Sequence, residues 1–171
     1  PGVSDPGVEL VRACLDAKIQ VDPIPGPSAP LTAAVASGFP LTPLTVLGFP
    51  PVRGSERSAW FLSLTQIKHA ATFFEAPHRI VRTLEDLAIN FGERQICLGR
   101  ELTKAHQEFL RGTADTVRQH LGAPKGEFTV VVAPHRCPCL DEGRFFGACR
   151  LPRGCPGHGA MLSKTEVVAT G

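Results

Sequence analysis

Along residues 8–17, apolar side chains fall at Val8, Val11 and Leu15, with Leu10 and Cys14 beside them, the spacing of one helix face. Asp5 stands where it can cap that helix and Pro6 where it can occupy the first turn. Residues 19–24, Ile-Gln-Val-Asp-Pro-Ile, alternate apolar and polar, which predicts a short strand. Pro25-Gly26-Pro27 reads as a loop, and a second helix is expected over 28–37, capped by Ser28 and stopped by Gly38. Helix, strand, loop, helix is the order of an α/β sheet.

Beyond Pro40 strands become frequent. Strands are expected over 44–49, 70–75 and 95–99, an extended stretch over 107–111, and a last strand over 127–133, the most β-rich run in the chain. Helices are expected over 55–66, over 77–91 ending at Gly92, and over 113–121. Residues 44–133 therefore carry enough sheet to close a core. Residues 1–40 carry one strand and two helices, too little sheet to stand alone, and are expected to leave an apolar face exposed. The expected division is thus the end of a first α/β domain over 1–40, a second α/β domain over 41–134, and a tail over 135–171.

That tail loses periodicity and is rich in Pro, Gly, Cys and Arg, which predicts poor order. Its His135, Cys137, Cys139, Cys149, Cys155 and His158 are potential zinc ligands. The one close Cys pair is separated by a single residue, however, and no second pair follows, so no metal is assigned. The Cys residues are read as reduced thiols.

With 171 residues, 43% hydrophobic, 20% charged and a net charge of +2, the composition is that of a globular chain and excludes collagen, coiled coil and wholesale disorder. The single Met at position 161 and a start inside a loop-like Pro1-Gly2 lead to the expectation that this is part of a longer protein. No run of 18 apolar residues and no signal-peptide pattern occurs, so no membrane contact and a cytoplasmic location are expected. A pI near 8.5 permits RNA as a partner without demanding it.

Candidate chemistry collects where strands end. Gly26 and the helix starting at Ser28 offer close backbone approach and unpaired N–H groups to a polar ligand. Glu75 follows an apolar strand, with His78 and Arg79 next along the chain. Arg100, Glu101, Thr103, Lys104 and His106 place both charges and an imidazole at another strand end, a set suited to substrate binding and proton handling. Arg53 and Arg57, with Lys68, are spaced to follow phosphates. Each set also has a structural reading, as turn, cap or surface ion pair. No Gly-x-Ser-x-Gly, His-Glu-x-x-His or Walker loop is present, which turns the reading from hydrolysis toward a group transferase with a diffusible cosubstrate.

The segments Pro1-Gly2-Val3-Ser4-Asp5-Pro6-Gly7, Val21-Asp22-Pro23-Ile24-Pro25-Gly26-Pro27-Ser28-Ala29, Leu47-Gly48-Phe49, Phe73-Phe74-Glu75-Ala76-Pro77-His78-Arg79, Arg100-Glu101-Leu102-Thr103-Lys104 and Lys125-Gly126-Glu127-Phe128 follow one another in an order that resembles the ribosomal RNA small subunit methyltransferase I family of the tetrapyrrole methylase superfamily. The Glu75–Arg79 and Arg100–Lys104 motifs separate that branch from porphyrin methylases and diphthine synthases. The resemblance implies a two-domain α/β architecture, with the first domain incomplete here and the second a mixed sheet with helices. It implies S-adenosylmethionine as cosubstrate, the ribose 2′-hydroxyl of a cytidine in small-subunit rRNA as acceptor, the rRNA or 30S subunit as partner, and a homodimer in the full-length parent. Carried over by motif, Pro25, Gly26, Pro27, Ser28 and Ala29 line the cosubstrate cleft, with Glu75, His78, Arg79, Arg100, Glu101 and Lys104 near the domain junction.

Arg53 and Arg57 are added as phosphate contacts. Glu101 and Lys104 are the candidate proton acceptors, Lys104 only if its pKa is depressed. Family members carry a Thr-Pro-Ile-Gly-Asn-Leu-like loop and a Ser-Asp-Ala-Gly-Thr element upstream of the position of Pro1. Phe74 and Pro50 stand where Tyr and Leu are common. A small-molecule methylase of the same superfamily and a noncatalytic interaction module remain as alternatives.

Overall fold

The computed structural model describes residues 2–135 of the chain. In order, they form α1 (Val8–Asp16), α2 (Ala29–Ser37), β1 (Leu44–Val46), α3 (Gly54–Gln66), β2 (Ala70–Glu75), α4 (Ile80–Phe91), β3 (Gln95–Arg100), β4 (Glu108–Thr113), α5 (Ala114–His120) and β5 (Phe128–Val132). The strands make one mixed sheet in the order β1-β2-β5-β3-β4. β1 and β2 are parallel, whereas β5 runs antiparallel to both β2 and β3, and β4 antiparallel to β3. The carboxyl ends of β1, β2 and β3 therefore share one edge with the start of β5, where Phe128 stands opposite both Glu75 and Arg100.

β5 is buried at all five positions because it is central and both faces are covered. On one face Phe61 and Leu64 of α3, Ile80, Leu84 and Leu87 of α4, and Ala114 and Val117 of α5 pack on Ala71, Phe73, Ile96, Leu98, Val130 and Val132. Burying each of these larger side chains contributes about 1.5–3 kcal/mol, which makes this layer the main source of stability. On the other face Ala33 of α2 meets Cys97 and Val131. Strand alternation sends Phe73 and Glu75 toward the three-helix face and Phe74 toward the α2 face.

Several expected boundaries move. Residues 19–24 join no strand: alternation shows that a segment suits a sheet, but a ladder needs a neighbour, and Ile24 is 90% exposed. α1 is preceded by Gly7 at φ 131°, a conformation open to glycine, so the helix is entered from Gly7 instead of an Asp5 cap. Residues 77–79 form a turn closed by the Arg79 N–H on the Ala76 carbonyl, which delays α4 to Ile80. Thr113 does cap α5, its hydroxyl accepting from the Thr116 N–H at 3.2 Å.

α1 buries none of its residues, and Val8, Leu10, Val11 and Leu15 are exposed, as the sparse sheet of residues 1–40 led one to expect. Apart from His135, the expected tail and its Cys and His residues lie outside the described residues.

Candidate functional site

A cavity of about 710 Å³ opens at the shared strand edge. Its walls are Pro27, Ser28, Ala29 and Pro30 at the start of α2, Phe49 after β1, Phe74 to Pro77 at the end of β2, and Glu127, Phe128 and Thr129 at the start of β5, with Val3, Ser4 and Asp5 across the mouth. The position follows from the topology, because strand ends and a helix N-terminus converge there. Ser28 occupies the N-cap of α2 in extended geometry with no side-chain capping bond, and with Pro30 at the second helical position the first-turn N–H groups left without that internal partner are those of Ala29 and Leu31. Phe49 and Phe74 stack with centroids 5.4 Å apart, giving the cavity an aromatic wall.

Glu75 ends β2 at 2% exposure. A buried carboxylate is costly unless paired, and both oxygens of this one are engaged. Oε1 accepts from the Ala76 N–H at 2.8 Å and pairs with Arg79 Nη2 at 2.8 Å; Oε2 accepts from the Thr83 hydroxyl and lies 3.8 Å from Arg57 Nη1. Arg57 is itself 2% exposed, donating to Asp86 at 2.8 Å, the Pro51 carbonyl at 3.0 Å and the Thr83 hydroxyl at 2.7 Å. This corrects the expectation that Arg57 contacts substrate phosphates: the fork is committed inside the fold. Arg79 is partly buried against Glu75 and within 3.5 Å of the Pro50 carbonyl.

A second carboxylate cluster, the rim, meets the cavity through Glu127. Glu101 Oε1 accepts from the Glu127 N–H at 2.8 Å and from Lys104 Nζ at 3.0 Å, while Lys104 also reaches Glu127 Oε2 at 3.1 Å. The Glu127 N–H and then the Lys104 ammonium hold the Glu101 carboxyl below its ordinary range. Lys104 is pushed up by its hydrogen bonds to Glu101 and then Glu127. Both shifts favour the charged forms, which makes Glu101 a weak proton acceptor and keeps Lys104 an ammonium ion. The depressed pKa required of Lys104 as a base is thus not met.

Glu101 and Thr103 also sit at φ 49° and 65°, and Gly126 at φ 92° packs so closely that a Cβ there would lie 2.5 Å from Glu101 Cγ. These bonds hold a strained turn in place. Arg100 is drawn into the same rim, donating to the Lys125 carbonyl at 2.9 Å and to Glu108 at 3.3 Å.

Of the expected cleft residues, Pro27, Ser28 and Ala29 line the cavity, Gly26 lies on an adjoining groove with Leu31, Val35 and Phe109, and Pro25 lines neither. His78 and Arg53 are exposed, His78 in the 77–79 turn and Arg53 preceding α3. Among the described residues no group of three or more His, Cys, Asp or Glu is placed to hold a metal ion, and no helix is long and apolar enough to cross a membrane.

The sequence matches the family of Tetrapyrrole (Corrin/Porphyrin) Methylases over residues 1–118. The chain belongs to the tetrapyrrole methylase family. Within that family it is 43% identical over 148 residues to "Ribosomal RNA small subunit methyltransferase I" of Synechocystis sp., covering 83% of this chain and 53% of that protein. The protein of the same name from Thermotoga maritima is 42% identical over 135 residues, covering 78% of this chain and 60% of that one. The chain spans about half the length of the curated relatives it matches.

Solved structures agree on the tetrapyrrole methylase fold. A cobalt precorrin-4 methyltransferase matches with a TM-score of 0.53 at 14% identity, over 73% of this chain and 56% of that one. A putative diphthine synthase from Entamoeba histolytica matches with a TM-score of 0.52 at 14% identity, over 79% and 63%. What residue-by-residue reading missed at this tetrapyrrole methylase cavity is its aromatic lining, Phe49, Phe74 and Phe128. The available signal was alternation in β2, which assigns Phe73 and Phe74 to opposite faces.

Proposed function

We propose that this chain is part of an S-adenosylmethionine-dependent methyltransferase that modifies the ribose 2′-hydroxyl of a cytidine in small-subunit rRNA. The observation that carries this reading is identity above 40% to proteins named for small-subunit rRNA methylation, over 83% and 78% of this chain. The full-length parent is proposed to work as a homodimer on rRNA or the 30S subunit, in the cytoplasm. The proposed domain division is the one expected from sequence, at residues 40 and 134.

The cavity fits such a cosubstrate in size and chemistry, since small-molecule sites of roughly 300–1,000 Å³ combine apolar walls with a few polar groups. Phe49, Phe74 and Phe128 supply flat apolar surface, while Ser28 and the first turn of α2 supply hydrogen-bond donors suited to a carboxylate. S-adenosylmethionine supplies a methyl group activated on a sulfonium. The residues of this chain orient the reactants, and orientation is an effective source of rate in a two-reactant step. Glu101, Lys104 and Glu127 shape the rim, leaving the exposed His78, Arg53 and the edge of Arg100 to meet RNA.

Calorimetric titration with S-adenosylmethionine, together with transfer of labelled methyl to 30S subunits, tests the reading. Saturable binding and ribose methylation, with RNA affinity falling steeply as salt rises, are expected. Transfer to a tetrapyrrole but not to RNA would assign the chain to a small-molecule branch. Absence of binding both here and in a version extended upstream would leave a noncatalytic module.

A further inference from the structure

We propose that Arg57, Thr83 and Asp86 are positioning residues that act through Glu75 to fix the β2-end wall of the cavity. Identifying that cavity as the cosubstrate site rests on the function proposed above. Glu75 is in the wall, yet its carboxylate is turned to the three-helix face, where every near donor is protein: the Ala76 N–H, Arg79, the Thr83 hydroxyl and, at 3.8 Å, Arg57. With both oxygens engaged by protein groups and 2% exposure, it serves the fold before any ligand.

What those bonds do is mechanical. Accepting from the N–H of its own successor, Glu75 folds residues 75–77 over the strand end and into the cavity lining. Thr83 relays the hold, accepting from Arg57 Nη2 while donating to Glu75 Oε2. The two arginines extend it sideways, Arg57 to the Pro51 carbonyl and Arg79 to the Pro50 carbonyl. The loop after β1, which carries the wall residue Phe49, is thus clamped to the loop after β2 through one carboxylate between two guanidiniums.

Asp86, on α4, anchors Arg57 from the far side and balances the charge: two arginines against two carboxylates. A guanidinium can serve Asp86, Pro51 and Thr83 at once because its donors are fixed in a planar fork, which an ammonium on a flexible stem does not reproduce.

The test is hydrogen exchange at the Ala76 amide, read beside S-adenosylmethionine affinity, in the full chain and in Thr83→Val and Thr83→Ser. Val keeps the shape and removes the relay; Ser keeps the relay. At a temperature where circular dichroism shows all three folded, Ala76 exchange should accelerate about tenfold in Thr83→Val, the scale of a lost hydrogen bond to a charged group. The amides of β5 should hold their rates, and Thr83→Ser should stay close to the parent. Cosubstrate affinity should weaken with Ala76 exchange, an effect that a uniform loss of stability would not produce in folded protein.

If neither the unsubstituted chain nor a version extended upstream binds S-adenosylmethionine but Ala76 still responds, the clamp stands and the cosubstrate reading falls. If Ala76 exchange is unchanged in folded Thr83→Val, the clamp is overturned. Should Thr83→Val not fold, Asp86→Asn reads the same amide: faster exchange supports the clamp, and parent-like exchange overturns it.

Discussion

Glu75→Gln isolates the charge at the centre of the clamp while keeping the size and planarity of the side chain. Its amide oxygen can still accept from Ala76 and Arg79, but the NH2 then faces Thr83 and the guanidinium of Arg57, 3.8 Å from the atom it replaces. Arg57 retains Asp86 at 2.8 Å, whereas Arg79 is left with a neutral oxygen and the Pro50 carbonyl at 3.5 Å, its side chain only 15% exposed. Removing one partner of a buried pair costs about 3–5 kcal/mol. The low end applies, about 3 kcal/mol, because Gln preserves one acceptor and Asp86 preserves half of the compensation.

Against a total stability of about 5–15 kcal/mol, that is a large fraction. Urea unfolding followed by circular dichroism should show the midpoint falling by roughly 1–2 M at unchanged slope. Added salt should restore little of it, since buried pairs are weakly screened. A midpoint within about 0.3 M of the parent, at the same slope, would show that the network needs only hydrogen-bonding shape and would refute the electrostatic argument.

Gly126→Ala should destabilise the rim turn by about 1–2 kcal/mol from backbone strain at φ 92°, and more through the 2.5 Å encounter with Glu101 Cγ, measured as a drop in melting temperature. Phe73→Ala, at a 1% exposed core position, should cost about 3–5 kcal/mol, whereas Phe49→Ala at 49% exposure should leave the unfolding midpoint near the parent and weaken S-adenosylmethionine binding instead. In a pH titration followed by carboxyl NMR shifts, Glu101 should titrate below its ordinary 4.5 and move upward in Lys104→Met. Its folded value is lowered, so its contribution to stability is present above 4.5 and is lost as pH falls through that lower midpoint. Lys104 is raised above its ordinary 10.5, so its contribution is present below 10.5 and is lost as pH rises through the higher midpoint; a rim that loosened between pH 5 and 10 would contradict both signs.

The strands expected over 70–75, 95–99 and 127–133 were legible because each is a largely apolar run rich in β-forming residues, and they form at 70–75, 95–100 and 128–132. The failure at 19–24 has the opposite cause: alternation describes one segment, while a strand is a relation between two. Charge was harder to read for the same reason. Arg57 follows Arg53 at helical spacing and resembles a phosphate-tracking face, but its meaning is set by Asp86, 29 residues away, and by Glu75 on a different element.

Glu75 and Glu101 drew attention as titratable groups at strand ends; Glu75 lies in the cavity wall, and Glu101 touches it only through Glu127. What a list of residue types cannot supply is how many donors already surround each oxygen. Both carboxylates here accept backbone N–H groups and oppose cations, which increases their hold on the loops. A motif that looks reactive in sequence can therefore be committed to holding loops in place, as Glu75 and Glu101 are here.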